Sequence, residues 1–203
     1  MFRVDYFFKV LLKLPILGKY LKVTNAYAFK GDPRYSKQFA PYQLWSKRVF
    51  PAWRNSFILS FVILYIVELT NNKNYDPGEY IVGAVPDLLG FAIGVFALIF
   101  VLPSGLKDFI KKRGGKKFPI EEIPADVAYP LMGLVLALAG SFFLELVNDE
   151  NKVALFFETV LVIYSIEMII EMVMFIYSLN RMSISNVIDS KRLRFYDRNK
   201  SRR

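Results

Sequence analysis

Four long apolar stretches separated by basic segments constrain this chain of 203 residues more than any other feature. They cover about 55–70, 77–102, 127–147 and 153–180, lengths that suit helices crossing a hydrocarbon core of about 30 Å. Of the 27 Lys and Arg residues, 11 precede the first stretch, 6 lie between the second and third, and 8 follow the fourth. Lys73 and Lys152 sit one in each remaining gap. Because short cytoplasmic loops hold the excess of Lys and Arg, both gaps are expected to face outward and both termini the cytoplasm. The expected fold is an all-α, polytopic membrane protein with four spans in a bacterial inner membrane.

Composition agrees. A hydrophobic content of 54% with 16% aromatics leaves no sizeable soluble domain, so the bilayer is the main solvent. The net charge of +9 lies on one side, where anionic lipid headgroups are the simplest partner and nucleic acid is not needed to explain it. Cysteine and histidine are both absent. Thiolate chemistry is excluded, and the commonest metal ligand and general base are missing. Neither a metal, a cofactor nor an enzymatic activity is expected.

The chain divides into a basic and aromatic segment, 1–54, the bundle, 55–180, with a basic loop at 103–126, and a basic tail, 181–203. Residues 2–24 mix Phe7, Phe8, Leu11 and Leu14 with Lys9, Lys13, Lys19 and Lys22. That mixture suits an amphipathic helix in the headgroup plane, broken near Pro15; the plainer alternative is a helix packed on the protein's own cytoplasmic side. From Tyr27 the pattern turns irregular, with aromatic residues beside cations, as at a membrane interface. Asp76, Pro77 and Glu79 mark the start of the second span, since an acidic cap followed by proline is a helix-start signal. Pro86 frees the carbonyl of Val82 and is expected to bend that span.

Six carboxylates fall inside the spans: Glu68, Asp87, Glu145, Glu158, Glu167 and Glu171. Each needs a partner, water or a proton, because a charged side chain at mid-bilayer costs about 2.5–3.5 kcal/mol on the insertion scale. Glu68, Glu145 and Glu158 lie within about two turns of a helix end, where they either form an acidic outer mouth or simply reach the interface and favour a helix start. Asp87, deeper and beside Pro86, is the strongest single candidate. Glu167 and Glu171, one turn apart, cannot both be charged and dry; they share a proton, line water, or pair with a basic residue from the inner interface. A polar strip from Asp87 to Glu167 and Glu171 would make a pathway.

Gly90 and Gly94, with Gly83, and Gly133, Ala137 and Gly140 have the spacing that lets helices approach closely, within a protomer or in a homo-oligomer. Lys111, Lys112, Arg113, Lys116 and Lys117 lack the ending of a phosphate loop and are assigned to lipid headgroups or a partner, as are Arg192, Arg194 and Arg198. This architecture is similar to membrane accessory or effector subunits that act beside separate cytoplasmic enzymes, including some in prokaryotic immune systems. Two functions follow: an oligomeric effector or channel-like subunit passing cations or protons, or a non-transporting anchor that recruits a cytoplasmic protein.

Overall fold

The computed structural model describes residues 10, 13–15, 17–32, 38–72, 74–100, 122–146 and 151–200, with the side chains of 98–100, 122 and 182–200 outside that description. Among the described residues six helices follow in order: α1 (Leu17–Ala28), α2 (Tyr42–Arg48), α3 (Phe50–Leu69), α4 (Pro77–Phe100), α5 (Glu122–Glu145) and α6 (Lys152–Lys200). The last four are each long and apolar enough to cross a membrane. The fold is therefore the expected all-helical one.

Local chemistry sets most boundaries. The carboxylate of Asp76 accepts the Glu79 amide at 3.1 Å, so the acidic cap opens α4 where the sequence pattern places it. Asn151 does the same for α6 through the Val153 amide, at 2.9 Å. α3 begins at Phe50, within the inward extension of the first span over 49–54 that the sequence suggests, and Pro51 occupies its first turn, where the missing amide proton costs nothing. α5 likewise begins at Glu122, ahead of the expected 127. α4 passes through Pro86 and α5 through Pro130 as single helices.

α6 is the central element, packed against α3, α4 and α5. Each interface has its own device. Against α5, an ideal Cβ on Gly133 would lie 2.6 Å from Met168 Cγ, and one on Gly140 would lie 2.8 Å from Leu161 Cδ1. Ala137 is fully buried between these two positions. The glycine spacing of the third span thus serves contact within the protomer. Against α3, buried Ala52, Ser56 and Ser60 recur every four residues; Ser56 and Ser60 donate to the carbonyls of Ala52 and Ser56 at 2.8 and 2.7 Å. That local bonding satisfies hydroxyls in an apolar setting. α4 buries Ile81, Val85 and Ala92, a face of helical period.

α1 packs on α5, burying Tyr20, Thr24, Asn25 and Tyr27. The described part of the amphipathic segment therefore lies on the protein's own bundle, and it extends past the expected end at 24. Irregular chain starts after Ala28, where Lys30 and Gly31 adopt φ of 59° and 70° and the Gly31 amide reaches back to the Ala26 carbonyl at 2.8 Å. This left-handed cap suits glycine. Asn25 then ties the returning chain: its amide donates to the Gln38 carbonyl at 2.8 Å and its oxygen accepts the Ala40 amide at 2.7 Å.

Candidate functional site at the Arg48 end of the bundle

Two polar assemblies lie where α1, α2, α5 and α6 meet. The first is a half-open cleft of about 150 Å³ lined by Tyr27, Arg48, Asp126, Glu171, Phe175 and Ser178, among others. Arg48 is the last residue of α2, Asp126 lies in the first turns of α5, and Glu171 lies on α6. Arg48 Nη2 donates to Asp126 Oδ1 at 2.8 Å, and Nη1 donates to the Tyr27 carbonyl at 2.6 Å. Its guanidinium carbon also lies 4.1 Å from the Tyr27 ring centroid, a cation–π distance. Burial, and next the nearby Glu171 charge, push the Tyr27 hydroxyl well above its ordinary range. Tyr27 accordingly stays a neutral donor at any physiological pH.

The second assembly is a chain of tyrosines reaching deeper. Tyr27 stacks on Tyr129 with centroids 4.1 Å apart. The Tyr164 hydroxyl donates to that of Tyr129 at 3.3 Å and lies 3.1 Å from that of Tyr20. Trp53 stacks on the other side of Tyr164, centroids 4.2 Å apart. Tyr129 and Tyr164 are almost wholly buried, so each hydroxyl must find a partner within the protein. One tyrosine from each of three helices supplies it.

The six intramembrane carboxylates are distributed unequally. Glu171 lines the Arg48 cleft, so a basic residue from the adjoining interface stands beside one member of the α6 pair. Glu167 instead accepts from Asn55 Nδ2 at 3.4 Å. Glu158 is buried, with its carboxylate against the first turn of α4 near Gly78, where the positive end of the helix dipole favours it. Glu68 and Glu145 are exposed at helix ends. Asp87 lies on the exposed face of α4, and among the described interactions none joins it to Glu167 or Glu171.

Around Asp87 the exposed face of α4 carries Gly83, Gly90 and Gly94, and an added Cβ at each would meet nothing within 4 Å. Positions 83, 87, 90 and 94 fall within about 60° of one another at 100° per residue. They stand opposite the buried Ile81 and Val85. Lys111, Lys112, Arg113, Lys116 and Lys117 lie outside the described residues; Arg192, Arg194 and Arg198 lie on α6 beyond its described side chains.

Sequence reasoning passed over Arg48 and Asp126 as a pair. Each stands at the polar edge of an apolar run, which was a usable signal, but their separation of 78 positions hides the contact. Among the described residues no group of His, Cys, Asp and Glu is placed to hold a metal ion. Comparison with protein-family models, curated proteins and solved structures found no match.

Proposed function

We propose that this small multi-pass membrane protein works as an oligomer that passes cations or protons along a path between copies, with Asp87 on that path. One observation carries the reading: Asp87 stands mid-helix on the exposed side of α4, on a face of glycines with open space before them. Left against lipid tails, the ionised carboxylate would cost about 2.5–3.5 kcal/mol on the insertion scale. A second copy removes that cost, because glycine faces allow close approach and carboxylates from several protomers then share protons or hold cations as a ring. In a bacterial inner membrane with cytoplasmic termini, Glu68 and Glu145 would add negative potential at the outer mouth.

Asp87→Asn in liposomes tests this. Cation or proton flux is expected to fall by about tenfold, the effect of about 1.4 kcal/mol at the charged constriction. Wild-type flux equal to that of protein-free liposomes would end the proposal.

A second reading has its own support. α6 is one helix from Lys152 to Lys200. Its last 19 residues, 182–200, carry five Lys and Arg against two Asp and extend about 28 Å at 1.5 Å each. This basic extension suits an anchor that recruits a cytoplasmic protein. Deleting 192–203 should then abolish co-purification of that partner while leaving flux unchanged; unchanged co-purification counts against recruitment.

A further inference from the structure

We infer that the path along α4 selects protons over metal cations; the inference rests on the proposed passage between copies and names what passes. The first argument is the inventory of the helix. Between Tyr80 and Phe100, Asp87 is the only α4 residue whose side chain carries a nitrogen or oxygen atom. Tyr80, Gly83, Ala84, Gly90, Phe91 and Gly94 fall within about 60° of it at 100° per residue, and all six are exposed. A path lined by this face in several copies therefore meets a tyrosine hydroxyl, one ring of carboxylates, and then only apolar side chains. From Asp87 to the end of α4 at Phe100 that apolar stretch is about 20 Å long.

The second argument is solvation. A metal cation leaving water needs several oxygens around it at once, from carboxylates, carbonyls or retained waters. Glycines bring the backbones of neighbouring copies close together, which leaves little room for a full hydration shell. Backbone oxygens do not replace that shell, since an α-helix uses its carbonyls internally. Pro86 frees one of them, on Val82, but Pro86 stands about 100° round the helix from Asp87. The carboxylate ring would thus hold a metal ion at one depth and offer it no onward ligand. A proton demands less: it binds one carboxylate oxygen and moves on along hydrogen-bonded water, with no shell to strip.

The third argument is what surrounds Asp87. α4 contains no Lys or Arg, and among the described residues none bonds to the Asp87 carboxylate. The charged groups of the two helices packed on α4 are placed elsewhere. On α5, Asp126 bonds to Arg48 and Glu145 is exposed at the helix end. On α6, Glu158 lies near Gly78, Glu167 accepts from Asn55 and Glu171 lines the Arg48 cleft, while Lys152 and Arg181 stand at opposite ends of the apolar span. The carboxylate is therefore neutralised by what passes. Binding a proton removes its charge altogether, which suits a site bordered by hydrocarbon, whereas a bound metal ion leaves two charges there.

The test is the ion selectivity of the full-length wild-type protein in liposomes. Proton influx is read with an internal pH dye, with valinomycin and K+ balancing the charge, and metal uptake with radioactive Na+ and Rb+. Proton influx should exceed that of protein-free liposomes, and Na+ and Rb+ uptake should not. Asp87→Asn should lower proton influx by about tenfold; Asp87→Glu, which restores an oxygen able to bind a proton, should recover most of it. Uptake of Na+ or Rb+ above the protein-free rate overturns proton selectivity while leaving passage between copies standing. Proton influx unchanged in Asp87→Asn overturns the role given to this carboxylate. Absence of every flux ends the passage itself, and the selectivity with it. The selectivity measurement needs only wild-type protein, so it decides the matter even where a variant fails to fold.

Discussion

Arg48→Ala is expected to destabilise the protein by about 2 kcal/mol, below the range for a fully buried ion pair because this one is only part-buried. The substitution deletes the 2.8 Å bond to Asp126, the 2.6 Å bond to the Tyr27 carbonyl and the stacking on the Tyr27 ring. It takes the guanidinium away from Asp126, whose side chain is 13% exposed, and from the neighbouring Glu171. Removing both partners is expected to cost less than the sum of the single changes, since the two residues are in direct contact and their effects do not add. Arg48→Lys should restore only part of the loss, because an ammonium cannot serve the carboxylate and the carbonyl with one planar fork. Trp45 and Trp53 are the chain's two tryptophans, and Trp53 stacks on Tyr164. Their fluorescence during denaturant unfolding in detergent reports the transition. A wild-type midpoint for Arg48→Ala would show that the cluster contributes nothing to holding α1 and α2 on the bundle.

Gly133→Leu and Gly90→Leu form the second prediction, because similar glycines should respond oppositely. At Gly133 a Cβ alone would meet Met168 Cγ at 2.6 Å and Tyr164 Cε1 at 3.2 Å. Neither side chain has room to yield, since both are fully buried. Overpacking of this kind costs about 3 kcal/mol, so α5 and α6 should separate and the same fluorescence transition should move to lower denaturant. At Gly90 nothing lies within 4 Å. Leucine there should leave the protomer's unfolding unchanged, yet reduce chemical cross-linking between copies in nanodiscs if the α4 face is where they meet. Unfolding shifts of equal size in the two variants would show that the Gly90 face of α4 also packs within the protomer, and cross-linking unaffected by Gly90→Leu would move the oligomer interface elsewhere.

Much of this was legible from residue order. Asp76 and Pro77 announced the start of α4, and the acceptor capacity of a carboxylate facing exposed amides is a local property that needs no tertiary knowledge. The four spans were equally plain, because about 20 consecutive apolar side chains have few soluble alternatives. The inward extension of the first span through 49–54 was legible as well, since Pro51 falls in the first turn of α3, where a helix tolerates it. For Tyr27, aromatic character suggested the membrane interface, but its burial by Tyr129 depends on where α5 passes.

The two glycine faces set the limit of such reading. Gly90 and Gly94 repeat the spacing of Gly133 and Ala137, and the pattern alone assigns the same use to both. Only packing separates them, because α6 places Met168 and Leu161 into one and turns α4 so that the other looks outward with Asp87. The proposed strip from Asp87 to Glu171 met the same obstacle: helical period places a residue on a face, but the rotation of each helix about its axis is decided by its neighbours.

By itself, the order of residues determined the all-helical class, the four apolar spans and the caps that begin α4, since these depend on solvation and on hydrogen bonds between close neighbours along the chain. Tertiary structure alone decided that α6 is central, that Arg48 meets Asp126 beside Glu171, and that Asp87 lies on the exposed face of α4. The reason is physical: transfer from water to lipid sums over each segment separately, whereas a contact between distant positions exists only once shape fixes the angle and depth at which helices pack.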